Sequence, residues 1–495
     1  MKDDPEQLIE GFLSEYRASG NYSRDYIARL AELATSEDPT TTESATRAFF
    51  GSLVERLADS FEPDAVSLYN RAFSQVIDVC RRDPRATQLD RELREYGLRG
   101  EEDLVERATG LRQIAPLSDK IERDKVRRII VLSRVTLGAD VAIASVIIER
   151  MKLEFPAAEI VLVGGSKTSE LFGGDSRLSF RQLVYRRGGT TAERLLTWID
   201  LLRCVRDLTD GLTAGEYLVV DPDSRLTQLG LLPVGNGRES DRVAQQTDYM
   251  FFPSREYGSG TSRSLSELTS LWLDELFCES FPTLPRVSLR ETDIKAARDL
   301  IDRIEPGSRP VIAINFGVGE NELKRVGNKF EAMLVTSLVM DGALIILDKG
   351  AGDAEVARAN AVIAEVTRIE KGGRRVRAID FDEEKLIEAP NTHRLDGEIL
   401  VWNGRIGVLS GLIGQSDLYI GYDSAGQHIA SALGVKCIDV FAGYSSPRML
   451  ERWRPTGSAE TRTIAVDTNR GAVYENELVA EVHGHASEML RTSRK

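Results

Sequence analysis

The chain has 495 residues, with 78 Asp and Glu against 64 Lys and Arg and a formal net charge of −14. That balance argues against a broad nucleic-acid footprint, which needs an electropositive face. Cys80, Cys204, Cys278 and Cys437 lie far apart without C-x-x-C spacing, so a disulfide framework and a zinc site are not expected and a reducing compartment is.

The opening residues, MKDDPEQLIE, are acidic and lack an apolar h-region, so they do not read as a signal peptide. No run approaches the ~20 apolar residues of a membrane span. The expectation is a cytoplasmic protein with at most peripheral membrane contact. Residues 1–118 carry helical periodicity without strands, as in Leu8, Phe12, Tyr16 and in Phe49, Leu53, Leu57. An all-helical N-terminal domain is expected there. Acceptor recruitment, homo-oligomer formation and plain structural cover are its open roles.

From 119 to 295 strands and helices alternate. Expected strands are Ile129–Leu132, Ile160–Val163, Ser179–Val184, Tyr217–Val220 and Tyr249–Phe252, with helices at Val141–Leu153 and Ala192–Leu208. Tyr257-Gly258-Ser259-Gly260 reads as a mobile loop. A linker helix, Glu291–Ile304, leads into a second alternating unit within 296–495. Its expected strands are Val311–Ile314, Leu344–Leu347, Val376–Ile379, Leu418–Ile420 and Cys437–Val440. A last helix, Glu475–Arg491, is expected to cross back over the first sheet. The fold class is therefore α/β, with two Rossmann-like doubly wound domains behind a helical one. Ligands in such sheets lie beyond the carboxyl ends of the strands.

Ser416 to Pro455 carries the strongest local signal. A strand stops at Asp423-Ser424-Ala425-Gly426, and a helix with a small inner face follows through Ala430, Ala432 and Gly434. Ser424 is the expected N-cap, which leaves the N–H groups of Ala425, Gly426 and Gln427 free for an anion, a diphosphate above all.

The pattern Asp423-Ser424-Ala425-x-x-His428, then Ala430 and Ala432-Leu433-Gly434, resembles the D-S/T-G-x-x-H-x-A-A-x-G segment of the heptosyltransferase family, glycosyltransferase family 9. Arg452-Trp453-Arg454-Pro455 resembles its tail. Ala425 stands where the family has Gly, and Tyr422 where it has Asn. Residues 128–164 resemble the family's first strand, L-G-D loop and F-P-x-A-E-I strand, with Ala139 inserted between Gly138 and Asp140. Residues 310–348 resemble its N-P-G…K-R-W element through Asn315, Gly317, Lys324, Arg325 and Phe330, with Phe316 for Pro and Val326 for Trp. The resemblance covers roughly residues 125–470.

It implies the GT-B fold and inverting transfer of a heptose-like sugar from a nucleotide-diphosphate donor, usually ADP-heptose, without a cofactor. The acceptor would be a hydroxyl of a cell-surface glycan, lipid or protein. Such transfer needs a base for the acceptor and charge stabilisation for the departing diphosphate. Asp140 matches the family's base, against the plain reading of an Asp favoured at a helix start. Lys324 is the candidate leaving-group cation with Arg325 assisting, against a solvated basic pair. Asn315 and Gly317 border the donor loop, and Asp423 would accept from a ribose or sugar hydroxyl. His428 is balanced between donor contact and a structural role. His393, His483 and His485 show no metal pattern. Asp221-Pro222-Asp223 looks like the metal-binding D-x-D of the GT-A architecture. It follows a strand of a doubly wound unit, so it reads as a strand-ending turn, and metal-independent transfer is expected. The alternatives are a nucleotide-sugar epimerase on the same scaffold and a non-catalytic protein that binds a nucleotide sugar or a partner.

Overall fold

The computed structural model describes residues 4–112, 121–235, 248–319, 321–371, 373–388, 396–467 and 472–492. The first sheet contains β1 (Arg128–Leu132), β2 (Glu159–Gly164), β3 (Leu178–Gln182), β4 (Tyr217–Asp221) and β5 (Tyr249–Phe251). Their order is β3-β2-β1-β4-β5 and every pairing is parallel. β1 is apolar on both faces because both are covered. Ile129 and Val131 join the core that runs on into the second sheet's unit, while Ile130 and Leu132 pack with Leu201 and Val205 on the opposite face. The strand order reverses between β1 and β4, which is where a doubly wound sheet opens for a ligand.

The second unit contains β6 (Val311–Asn315), β7 (Leu344–Asp348), β8 (Glu370–Lys371), β9 (Arg374–Arg375), β10 (Ala378–Asp382), β11 (Ile399–Asn403), β12 (Leu418–Tyr422), β13 (Cys437–Phe441) and β14 (Thr461–Ala465). Seven of these form a parallel sheet in the order β10-β11-β7-β6-β12-β13-β14, and β8 pairs antiparallel with β9. The order reverses between β6 and β12. The expected strands are present, although the one expected at Val376–Ile379 begins at Ala378 and that at Ser179–Val184 ends at Gln182. β8, β9, β11 and β14 are additional.

Within residues 5–110 the regular elements are all helices, from Pro5–Ser19 through Glu101–Gly110. Asp4 and Asp38 cap two of these helices through the N–H groups of Glu6 and Thr41, each with Pro in the first turn. Phe12, Phe49, Tyr69, Phe73 and Ile77 share one core with Leu195, Trp198, Ile199 and Leu202 of the helix Thr191–Thr209. The helical segment is thus seated on the flank of the first sheet's unit. The expected boundary at 118/119 lies outside the described residues.

The last helix, Ala472–Thr492, does not cover the first sheet. Leu478, Val479, Val482, Ala486 and Met489 form an apolar stripe that is buried with Ile312, Ile314, Leu418 and Ile420 of the second. Lys436 Nζ donates to the carbonyl of Met489 at 2.7 Å and fastens it there.

The linker helix Glu291–Ile304 lies so close to Ile406–Gly414 that a Cβ on Gly411 would fall 2.8 Å from that of Ala297. Tyr257–Gly260 is tied down rather than free. The buried guanidinium of Arg452 donates to the carbonyls of Gly258 at 2.8 Å, Thr261 at 2.9 Å and Arg263 at 2.5 Å. Among the described residues no helix is long and apolar enough to cross a membrane.

Candidate functional site

On the second sheet, β12 ends at Tyr422 and the chain turns through Asp423 and Ser424 into the helix Ala425–Ala432. Ser424 is the N-cap, extended at φ −153° and ψ −169°, and its side chain makes no capping bond. The first-turn N–H groups of this helix therefore lack a side-chain acceptor from the cap. Gly426 is dictated from within: a Cβ there would lie 2.0 Å from Tyr419 Oη. Asp423 is buried, accepts from Gln427 Nε2 at 2.9 Å through Oδ1, and is paired through Oδ2 with Lys324 Nζ. Burial pushes the Lys324 ammonium down, but the facing charge of Asp423 outweighs it and holds Lys324 above its ordinary value. Beneath them, burial and then the charge of Asp423 push the Asp439 carboxyl well up.

On the first sheet, β1 leads through Ser133, Arg134 and Val135 into a helix that begins at Leu137. Asp140 is 1% exposed. Its Oδ2 accepts from Ser133 Oγ and its Oδ1 from Arg134 N, both at 2.7 Å. Ser133 Oγ in turn accepts from Val135 N at 2.9 Å, and Val135 has φ 79°, a left-handed conformation rare for a β-branched residue. Asp140 thus stands at the helix start as expected, but it lies beneath the loop and pins it. Burial pushes its carboxyl up to about 7 against the two hydrogen bonds. Asp140–Ala144 form a π-helical turn, the geometry that takes up one extra residue such as Ala139 within a helix.

Asp221 and Asp223 belong to a strand-ending turn. Asp221 accepts from Ser224 N at 2.6 Å, Thr227 Oγ1 at 2.6 Å and Tyr249 Oη at 2.8 Å. Asp223, with φ 63°, pairs with Arg255 at 3.0 Å. Among the described residues no group of three or more His, Cys, Asp or Glu could hold a metal ion. His483 lies 2.8 Å from Asp341 and His485 2.7 Å from Arg462, while His393 is outside the described residues.

The two helix starts touch. A Cβ on Gly138 would lie 3.1 Å from His428 Cδ2, 3.3 Å from Ala425 Cα and 3.5 Å from the carbonyl oxygen of Ser424. His428 is buried, which pulls its imidazole down to about 4, and its ring meets the edge of Trp453 at 6.0 Å. Trp453 in turn meets Phe61, also at 6.0 Å. The structure therefore brings Asp423, Ser424, Ala425, Gly426, His428 and Lys324 to the loop that Asp140 supports. It also adds Ser133, the N-terminal Phe61 and the side chain of Gln427, of which the sequence pattern had offered only the backbone N–H.

Three expected residues are engaged elsewhere. Arg325 donates to the buried Glu331 at 3.1 and 2.7 Å, a carboxylate that Tyr422 Oη also reaches at 3.0 Å, so its guanidinium is drawn away from the turn. Asn315 bonds Asp348 through Nδ2 and accepts from Gly317 N at 2.8 Å, which makes it a turn-former. A Cβ on Gly317 would meet Glu355 Oε1 at 2.9 Å, so that glycine answers a packing need.

A structure of a glycosyl transferase family 9 protein from Veillonella parvula DSM 2008 is similar to this chain, with a TM-score of 0.52 and 14% identity over 75% of this chain and 99% of that one. The E. coli ADP-heptose LPS heptosyltransferase II gives 0.48 at 14% identity, over 74% and 100%. E. coli heptosyltransferase WaaC with ADP gives 0.46 at 12%, over 72% and 99%. The first likeness and the two parallel sheets define the fold as GT-B. No protein-family model and no curated protein sequence matches the chain.

Proposed function

We propose that the chain is a glycosyltransferase of the family 9 kind, which moves a heptose-like sugar from a nucleotide-diphosphate donor to an acceptor hydroxyl with inversion. One observation carries this reading: the helix start at 425–428, with Lys324 beside it, faces the helix start at 137–140 across a van der Waals contact. Free N–H groups and an ammonium at a strand end suit a diphosphate, and they stabilise the charge that grows on it as the sugar leaves. Inversion needs the acceptor to attack from the side opposite the diphosphate, so base and phosphate cradle belong on opposed walls. A carboxyl raised to about 7 is matched to a base at neutral pH. Asp221 and Asp223 are occupied by protein donors, in keeping with metal-independent transfer. We infer a cytoplasmic enzyme whose acceptor is a surface glycan, lipid or protein.

A second reading has its own support. Both oxygens of Asp140 are hydrogen-bonded under a loop, which favours a non-catalytic nucleotide-sugar-binding protein. A thermal-shift panel of nucleotides and nucleotide sugars, followed by product analysis, separates the two. A ligand at 100 times its Kd adds about 2.7 kcal/mol, so the donor stands out. Transfer lost in Asp140→Ala with donor binding kept supports the enzyme. Donor binding without turnover over an acceptor panel, unchanged in Asp140→Ala, supports the binding protein. No stabilisation by any nucleotide or nucleotide sugar rejects both.

A further inference from the structure

Arg134 follows β1, Arg225 follows β4 and Lys324 follows β6, and their loops meet: Ser224 Oγ donates to the carbonyl of Ser133, Gly138 abuts Ser424, and Lys324 pairs with Asp423. Into this junction the N-terminal helices deliver Asp59. Its position is bracketed on both sides. Glu55, one turn earlier, has Oε1 3.7 Å from Arg225 Nη1 of the first sheet's unit. The carbonyl of Ser60 accepts from Ser446 Oγ of the second unit at 2.8 Å, and that of Phe61 from Arg448 Nη1 at 3.1 Å. Phe61 is buried against Trp453 with φ 56°, a conformation that costs an aromatic residue on the order of 1 kcal/mol or more and persists only where its surroundings enforce it. Asp59 itself is half-buried, and its carboxyl accepts no hydrogen bond from protein donors among the described residues. Its charge reaches Arg134, Arg225 and Lys324.

We propose that Asp59 is a specificity-determining residue of the transfer site, which accepts a hydroxyl of the bound nucleotide sugar and disfavours the bare nucleoside diphosphate. The inference rests on the transferase reading and deepens it. A carboxylate without protein donors, set among cations, is an acceptor for a sugar hydroxyl. The same charge discriminates between donor and product. In a nucleotide sugar the terminal phosphate is esterified and carries one negative charge fewer than in the free diphosphate, so repulsion by Asp59 falls more heavily on the product. The N-terminal helices would then favour loading of donor and release of diphosphate.

The test is calorimetric titration of parent and Asp59→Asn with ADP and ADP-glucose, and with UDP and UDP-glucose. Asp59→Asn is expected to bind the bare diphosphate about tenfold tighter and the nucleotide sugar no tighter, so the preference between them falls by about that factor. Asp64→Asn removes the same charge from an exposed helix start nearby and is expected to change neither affinity. Asp59→Ser provides a second variant should Asn impair folding. Equal shifts for both ligands, or none, in a folded variant overturn the role of Asp59 and leave the transferase reading standing. Absence of binding of all four probes to the parent removes both.

Discussion

Gly138 and His428 approach so closely that a methyl group on the glycine would lie 3.1 Å from the imidazole Cδ2. One residue opens the helix after the first sheet's central strand, and the other sits one turn into the helix after β12. Their contact sets the spacing of the two walls of the candidate site.

Gly138→Ala tests that spacing. The added carbon must push back His428 or the backbone of Ala425, so stability should fall by about 1–3 kcal/mol, as overpacking does. Binding of nucleoside diphosphates should weaken with it. At Gly165 an added Cβ meets nothing within 4 Å, so Gly165→Ala should leave the urea midpoint unchanged. Equal midpoints for the two variants would contradict the contact.

Lys324→Met isolates the second contact. It leaves the buried carboxylate of Asp423 without its cation, and loss of one member of such a pair costs about 3–5 kcal/mol. Asp423→Asn added to Lys324→Met should recover most of that stability, since the stranded charge is gone. It should not recover diphosphate affinity, because the ammonium is still missing. Denaturation and titration on the same three proteins separate the two effects.

Two buried titrating groups give opposite pH dependences. His428 lies at about 4 when folded, below its ordinary 6.5. Its contribution is complete above about 6.5 and is lost as pH falls through 4, a change on the order of 3 kcal/mol. Asp140 is raised to about 7, so its contribution is present at low pH and is lost as pH rises from about 4 through 7. Urea midpoints from pH 4 to 8 should therefore flatten on the acid side in His428→Gln. In Asp140→Asn they should flatten toward neutrality. Unchanged profiles would show that neither group is buried as described.

Arg452→Lys should also destabilise, by about 1–3 kcal/mol. A single ammonium cannot serve the carbonyls of Gly258, Thr261 and Arg263 as the planar guanidinium does. Limited proteolysis should cut faster between Arg255 and Arg263.

Much of this fold could be read in the sequence because a buried parallel strand leaves a short apolar run, as Ile129–Leu132 and Leu344–Leu347 do. β11 was legible too, since Ile399–Trp402 lies between Gly397 and Gly404, although it is not among the expected strands. β14 was not: Thr-Arg-Thr-Ile-Ala is the polar run of an edge strand. The turn at Asp423–Gly426 and the approach of Lys324 follow from local pattern and strand order. The inward aim of Asp140 does not. It depends on Ser133 and Arg134 turning their donors back under the loop. Nor does the edge-to-face series Phe61–Trp453–His428, in which a residue of the N-terminal helices meets a segment nearly 400 residues further along the chain. Arg325 shows the same limit from the other side, because the buried Glu331 that claims it is an ordinary helical glutamate in sequence.

The most direct measurement is a crystal structure of the chain with the nucleoside diphosphate that stabilises it most. The account predicts phosphate oxygens within hydrogen-bond reach of the N–H groups of Ala425 and Gly426 and of Lys324 Nζ, with the loop at 133–138 facing them. Phosphates bound elsewhere, for instance at the turn Asp221–Arg225, or an empty turn at saturating ligand, would contradict it.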